Sequence, residues 1–188
     1  GRKPASNESP LYRPIPEEEP RRKRGEMSVL PVKERQGNFK EVAKEISSIK
    51  KFCGNAHLKV ILETGALKTP ENIWKASMLS MQAGADFIKT STGKIDPAAT
   101  PEAAWVMCSA IKEFHAKTGK KVGFKAAGGI VESSDALFYT AIVQHILGDE
   151  WLNPRLFRIG ASRLANNLLT SITQEKIAEA MKEYNFEI

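Results

Sequence analysis

Two lysines occupy matching places in the sequence, each at the end of a short apolar run. Lys89 follows Phe87-Ile88, and Lys125 follows Gly123-Phe124, 36 residues further along the chain. A deprotonated lysine amine can attack a carbonyl and form a Schiff base. Burial and a neighbouring cation both lower the pKa of such an amine. One such lysine is most simply a surface side chain, but two at equivalent places favour a nucleophile with a second, perturbing amine.

Two glycine-containing loops have the composition of an anion site. Gly128-Gly129 follows the second lysine, and its backbone amides can approach an anion ahead of a predicted helix N-terminus. Gly160-Ala161-Ser162-Arg163 adds a hydroxyl and a guanidinium at another helix start. A glycine pair alone usually marks a turn. Paired loops after the last two predicted strands match the phosphate position of α/β barrels, which favours a phosphate-binding role here.

Short β-rich runs alternate with helical patterns along most of the chain. Strands are predicted at 58–63, 86–90, 122–125 and 157–160. Helix starts are predicted at Asn38, Thr69, Thr100 and Ser133 or Ser134. Alternating strands and helices imply parallel pairing with right-handed crossovers. The predicted fold class is therefore α/β, with TIM-barrel type β/α units, incomplete because only about four of the eight strands are recognisable.

The first residues differ in composition from the rest. Residues 1–26 contain five prolines together with an acidic and a basic run, which predicts a flexible charged tail before a partial barrel domain at 27–188. Residues 28–32 form the only strand-like run upstream of residue 38. The basic run leaves a nuclear-import or phosphate-backbone role open, but no aromatic residues interleave with it. Nucleic acid therefore ranks last among the predicted partners.

Other residue types narrow the class of protein. No apolar run approaches the length of a membrane span, and the N-terminus lacks a secretory hydrophobic region. Cys53 and Cys108 are predicted to be core thiols in a reducing compartment, so a cytoplasmic location is expected, with a nuclear or organellar one left open by the basic tail. The three histidines show no ligand spacing, so no metal site and no cofactor are expected. Trp74, Trp105 and Phe138 are predicted to pack between helices and sheet.

Four segments together carry a family resemblance. They read LKVILETG at 58–65, DFIKTSTGK at 86–94, GFKAAGGI at 123–130 and FRIGAS at 157–162. In order and spacing they resemble the deoxyribose-phosphate aldolase family, over roughly residues 38 to 170. This resemblance implies a class I aldolase, a lyase of nucleotide catabolism that needs no metal. The family splits 2-deoxyribose 5-phosphate reversibly into acetaldehyde and glyceraldehyde 3-phosphate.

The resemblance also implies roles for individual residues. Lys89 matches the Schiff-base lysine, and Lys125 matches the second lysine, which keeps the nucleophile deprotonated. Thr92 and Gly93 match residues that line the substrate cleft. The positions that match the phosphate site are Gly128, Gly129 and Ser162, with Arg163 where the family has a small residue. Arg163 could strengthen phosphate binding or block it, and the sequence leaves both open.

The chain departs from the family in its first half. The family barrel has four earlier strands and a catalytic aspartate at the end of the fourth, yet no aspartate precedes Asp86 here. Ala126 and Val131 also stand where the family has a proline and an arginine. An alternative function therefore remains, a catalytically impaired half-barrel that serves as a structural or interaction subunit. Open sheet edges predict a homo-oligomer or a protein partner that completes the barrel.

Overall fold

Five parallel strands and six helices make up the part of the chain that the structure describes. This computed structural model describes the strand at residues 24–28 and the continuous segment 39–183, with side chains up to Lys176. The strands are β1 (Arg24–Ser28), β2 (His57–Ile61), β3 (Phe87–Lys89), β4 (Gly123–Ala127) and β5 (Phe157–Gly160). The helices are α1 (Phe39–Cys53), α2 (Thr64–Leu67), α3 (Pro70–Gln82), α4 (Pro101–Thr118), α5 (Ser133–Leu147) and α6 (Leu164–Glu183). The strands lie side by side in chain order, β1-β2-β3-β4-β5.

The starts of α3 and α4 follow directly from local sequence. The Thr69 hydroxyl accepts a hydrogen bond from the Asn72 amide, and the Thr100 hydroxyl accepts one from the Ala103 amide. A proline follows each threonine, where its missing N–H and fixed φ suit the first helical position. Both predicted helix starts are therefore confirmed.

The start of α5 differs from the prediction. Its N-cap is Glu132, not Ser133 or Ser134, and Glu132 and Asp135 form a reciprocal capping box. The Ser133 hydroxyl lies 3.0 Å from the hydroxyl of Ser171 on α6. Sequence alone favoured serine because it is the commoner cap, but packing against α6 places the Ser133 hydroxyl elsewhere.

β1 does not coincide with the upstream run that the sequence suggested. It covers 24–28, overlaps the predicted run only at Ser28, and starts before the predicted domain boundary at residue 26. It pairs in parallel with β2, from Arg24 opposite His57 to Ser28 opposite Ile61. This pairing is a tertiary contact, and the charged composition of the segment does not predict it. The predicted tail up to residue 23 and the rest of the run at 29–32 lie outside the described residues.

The two faces of the sheet have different compositions. Alternate residues such as Leu58, Val60, Ile88 and Phe124 join the buried core beneath the helices, and we call this side the helix face. The other side, called the lysine face, carries Lys59, Ile61, Phe87, Lys89, Lys125, Ala127 and Arg158, as strand register requires. The helix face supplies the apolar core, and the lysine face supplies the groups that could do chemistry.

The expectation that Trp74, Trp105 and Phe138 pack between helices and sheet is wrong. These side chains are 36%, 49% and 53% exposed. The helix positions that reach the sheet carry more compact residues such as Ala104 and Met107, which are fully buried. Among the described residues, no helix combines the length and apolar character that a membrane crossing requires.

Candidate active site

The two lysines lie directly opposite each other on neighbouring strands. Lys89 of β3 is the register partner of Lys125 of β4, and both side chains are half-buried on the lysine face. The Thr90 amide donates to the Lys125 carbonyl at 3.1 Å, which fixes this alignment. Neighbouring parallel strands lie about 4.8 Å apart, so two amines start from adjacent backbone positions on one face. Such a pair can supply a Schiff-base nucleophile with a second amine beside it.

Gly160 of β5 leaves room for the Lys125 side chain. A Cβ atom at position 160 would lie 2.7 Å from Lys125 Cε and 3.4 Å from Lys125 Nζ. It would also lie 3.0 Å from the Cβ of Ala127. Gly160 is thus required for close approach: its lack of a side chain allows Lys125 to lie across β5.

A layer beneath the lysine pair is formed by an aromatic ring and a guanidinium. The Phe87 ring lies over Gly123, where a Cβ atom would come within 2.3 Å of the ring. The Arg158 guanidinium lies 4.5 Å from the centre of the Phe87 ring, within cation–π range. The backbone of Arg158 is in register with Lys125, but its side chain turns back toward the start of β5, where its Nε donates to the Pro154 carbonyl at 2.9 Å.

The loop after β3 lies against the glycine loop after β4. Thr90 joins the two strand ends, since its hydroxyl donates to the Ala127 carbonyl at 2.9 Å and accepts from the Ala127 amide at 3.0 Å. At Gly128, with φ +95°, a Cβ atom would lie 3.2 Å from Gly93 Cα and 2.6 Å from Ala98 Cβ. The structure thus brings the predicted cleft residue Gly93 into contact with the predicted phosphate loop.

Glu63 holds the predicted cleft residue Thr92. A glutamate at a strand end can orient a lysine or join a structural ion pair. Its buried carboxylate instead accepts from the Thr92 amide, at 3.3 Å and 3.2 Å from its two oxygens, and from the Thr92 hydroxyl at 2.5 Å. A glutamate directly after the apolar run Val60-Ile61-Leu62 was the available sequence signal, but the pattern could not show its partner.

The second predicted anion loop lies at the same end of the sheet. Gly160 is the register partner of Ala127, and the side-chain amide of Asn167 on α6 donates to the Val131 carbonyl at 2.8 Å. Ser162 and Arg163 are exposed just before α6 begins. The two loops that the sequence assigned to phosphate are therefore adjacent and open to solvent.

The expected contribution of the α5 N-terminus to anion binding needs correction. The Asp135 carboxylate already accepts hydrogen bonds from the amides of Val131 and Glu132, at 3.2 Å and 3.1 Å. The carboxylates of Asp135 and of the N-cap Glu132 therefore already occupy the positive end of the helix dipole. An anion in this site would rely on the loop amides, Ser162 and Arg163. Across residues 39–176, no cluster of three or more histidine, cysteine or carboxylate side chains could hold a metal ion.

Comparison with known proteins places this arrangement in a family. A family model described as DeoC/LacD family aldolase matches residues 27–167. The chain belongs to the DeoC/LacD aldolase family. This membership covers all the strand ends described above from β2 to β5.

Relatives within this family are similar in sequence but longer. A Caenorhabditis elegans protein is 58% identical over 135 residues, which cover 72% of this chain and 45% of the relative. The human protein named deoxyribose-phosphate aldolase is 53% identical over 132 residues, 70% of this chain and 42% of that protein. The chain spans less than half the length of these curated relatives.

The fold agrees with that of a solved structure. A crystal structure of a Toxoplasma gondii protein matches with a TM-score of 0.65 and 24% identity, over 77% of this chain and 57% of that one. At this identity the match concerns the fold alone. It supports an incomplete barrel of β/α units, as the sequence predicted.

The aldolase family's acid/base aspartate has no substitute in Asp86. Asp86 forms an ion pair with Lys50 at 2.5 Å and accepts from the Leu58 amide at 2.7 Å. It precedes β3, so it lies at the opposite end of the sheet from the loops that follow Lys89 and Lys125. Its contacts join α1 to the start of the sheet and are structural.

Proposed function

We propose that this chain carries the Schiff-base machinery of a deoxyribose-phosphate aldolase, with Lys89 as the nucleophile. The observation that carries the proposal is the direct register of Lys89 and Lys125 on one face of the sheet, beside two adjacent loops suited to phosphate. The family of the chain and the name of its human relative support the same reaction class. The substrate is 2-deoxyribose 5-phosphate, and no cofactor takes part.

The reaction follows from the chemistry of an iminium ion. The Lys89 amine attacks the C1 aldehyde carbon, and loss of water leaves an iminium. The C2–C3 bond then breaks, its electron pair passes into the iminium to give an enamine, and the C3 hydroxyl loses a proton as glyceraldehyde 3-phosphate departs. Protonation of the enamine at C2 and addition of water release acetaldehyde and restore the amine. Lys125, the register partner of Lys89, is the second amine beside the nucleophile.

The decisive experiment traps the iminium by reduction. With acetaldehyde and borohydride, we expect a covalent mass increase on Lys89 that is absent from Lys89→Ala. The matched control is Lys44→Ala, which removes an exposed lysine on α1 and should label like the unmodified chain. Peptide mass spectrometry locates the adduct. Equal labelling of many lysines, or none at saturating aldehyde, would contradict the proposal.

A second candidate function is a catalytically impaired half-barrel, since no aspartate precedes Asp86 in this sequence. Without a positioned acid/base group, proton transfer would be slower by a factor on the order of 10² to 10⁴. The chain would then serve as a half-barrel structural or interaction subunit. An unlabelled Lys89 in the trapping experiment supports this candidate, whereas a Lys89 adduct with slow turnover supports an impaired enzyme.

A further inference from the structure

We infer that Glu63 is a positioning residue, which sets Thr92 and the loop that follows β3 against the lysine pair for binding of the phosphorylated sugar. This inference rests on the proposed function, because it assigns Glu63 a part in binding that substrate. Glu63 acts through Thr92 and is not assigned contact with the reacting atoms. Its role is therefore distinct from those of Lys89 and Lys125.

The burial of the Glu63 carboxylate requires compensation. The residue is only 3% exposed, and an ionised carboxylate out of water is costly unless it is hydrogen-bonded. Hydrogen bonds from Thr92 provide that compensation. The Thr92 amide is shared between the two carboxylate oxygens, and the Thr92 hydroxyl donates to one of them. A charged acceptor makes such bonds stronger than neutral ones. The carboxylate and Thr92 therefore fix each other's positions.

The backbone of Glu63 is also in an uncommon conformation. Its φ of 53° and ψ of 63° place it in the left-handed region, which residues other than glycine seldom adopt. Sparsely populated backbone conformations persist where the surrounding structure fixes them, and they concentrate at functional sites. Here the Thr64 amide donates to the Thr90 carbonyl at 3.0 Å and holds the turn against the end of β3.

The one-turn helix α2, which has Glu63 as its N-cap, supports the whole loop that follows β3. The Thr64 hydroxyl lies 3.2 Å from the Ser91 hydroxyl and donates to the Ala98 carbonyl at 3.2 Å. At Gly65, a Cβ atom would lie 2.1 Å from the Pro97 carbonyl oxygen, so the loop backbone packs directly on this helix. Both ends of the 91–98 loop are therefore held by α2 and its N-cap.

The loop supported by α2 contains or contacts the predicted binding residues. Thr92 adjoins Gly93, and Gly93 contacts Gly128 of the glycine loop. Lys89 lies three residues before Thr92 on the same strand and loop. A displacement of Thr92 would thus move the surface that faces the sugar and its phosphate, while the two lysines stay fixed by strand register.

The test compares trapping of two carbonyl compounds at Lys89. For Glu63→Gln, we expect the half-maximal concentration of 2-deoxyribose 5-phosphate to rise on the order of tenfold, the effect of losing a charged hydrogen bond. Trapping with acetaldehyde, which has no phosphate and little surface, should stay within about twofold of the unmodified chain. Glu71→Gln is the matched control, since Glu71 is exposed and forms an ion pair with Lys75 on the same helix.

Variants of Thr92 keep the inference testable if Glu63→Gln is poorly folded. Thr92→Val removes the hydroxyl that contacts Glu63 and should reproduce the tenfold loss. Thr92→Ser keeps the hydroxyl and should restore binding. Thermal unfolding followed by circular dichroism checks that each variant is folded.

Each outcome has a defined meaning. Unchanged half-maximal concentrations for the sugar phosphate in Glu63→Gln and Thr92→Val overturn this inference alone. An equal loss with acetaldehyde and sugar phosphate also overturns it, because the effect would then lie in the lysine pair or the fold. Absence of any adduct in the unmodified chain overturns the proposed function and this inference together.

Discussion

At the scale of single residues, the candidate site depends on side chains that are absent as much as on those present. Gly160 and Gly123 each leave space on the lysine face, one for Lys125 and the other for the Phe87 ring. The atoms that a Cβ at 160 would meet first belong to the flexible end of Lys125. The methylene chain of a lysine moves at little cost, so this contact affects where the amine lies more than whether the chain folds.

A substitution at Gly160 therefore tests how the position of Lys125 affects the reactivity of Lys89. We expect Gly160→Ala to lower the free energy of unfolding by about 1 to 2 kcal/mol, because the end of Lys125 is flexible but the Cβ of Ala127, 3.0 Å away, must also shift. We expect it to reduce acetaldehyde trapping at Lys89 on the order of tenfold, since Lys125 would no longer lie beside its partner. Urea unfolding and peptide mass spectrometry measure the two effects. Normal trapping with a marked loss of stability would show that Lys125 is not held by this contact.

Cys108 gives stability a dependence on alkaline pH. Burial raises the pKa of its thiol, so the folded chain keeps this proton above pH 8.5, where an unfolded cysteine loses it. The contribution is fully present below about pH 8.5 and falls as pH rises above it. At pH 9.5 we expect the loss to be about 1.4 kcal/mol relative to pH 7.5. Urea unfolding of the unmodified chain and Cys108→Ala at both pH values measures this term, and equal losses in the two proteins would contradict it.

At the scale of elements, the loops that follow the strands are held by backbone packing. Gly128 and Gly129 have φ values of +95° and +75°, so both positions favour glycine. They differ in their surroundings: a Cβ at 128 would meet Ala98 and Gly93, whereas a Cβ at 129 would meet nothing within 4 Å. Substitutions at the two glycines therefore separate the cost of backbone strain from the cost of a clash with the loop after β3.

Alanine substitutions at these two glycines test that distinction. We expect Gly129→Ala to destabilise the chain by about 1 kcal/mol, the cost of a left-handed residue with a side chain. Gly128→Ala should cost more, about 2 to 4 kcal/mol, because the loop after β3 must also move. Thermal and urea unfolding compare the two variants directly. Equal losses would show that the two loops do not constrain each other.

The elements differ in how far sequence could predict them. α3 and α4 carry a threonine cap and a following proline, signals that act within one turn, and so their starts were predictable. α2 has only four residues, too few for a hydrophobic period, and its position depends on contacts with a distant loop. β1 is defined by its pairing with β2, which no local pattern in a charged segment indicates.

The candidate site was likewise predictable where local pattern decides it and not where tertiary contacts do. The neighbouring positions of Lys89 and Lys125 were predictable, because equal placement on successive β/α units implies adjacent parallel strands. The partner of Glu63 was not, since a hydrogen bond to Thr92 across 29 residues depends on how a loop folds back. The capping carboxylates at the start of α5 also compete with an anion in a way that the glycine pair alone could not show.

At the scale of the whole molecule, the described sheet has two edge strands, β1 and β5. Edge strands carry unpaired backbone groups that a strand of another chain can pair with. We therefore propose that the chain associates through these edges, with a second copy or with a protein that completes the barrel.

Association is measurable without knowledge of the partner. We expect light scattering coupled to gel filtration to give a mass above that of one 20.8 kDa chain at micromolar concentration. Lys121→Ala, a change in the segment before β4 that removes an ion pair with Glu150, is a control that should leave the mass unchanged. A stable, soluble monomer would contradict the proposal.

The division of the sheet into two unlike faces has a consequence for how the strands align during folding. Since neighbouring positions along a strand point to opposite sides, a shift of β3 or β4 by one residue would bury an ammonium among Leu58, Val60 and their neighbours. Such a misaligned state would be strongly disfavoured, because a charge in apolar surroundings is costly. The amines assigned here to carbonyl chemistry would thus also help the chain reject wrong strand alignments, even in a descendant that had lost all activity.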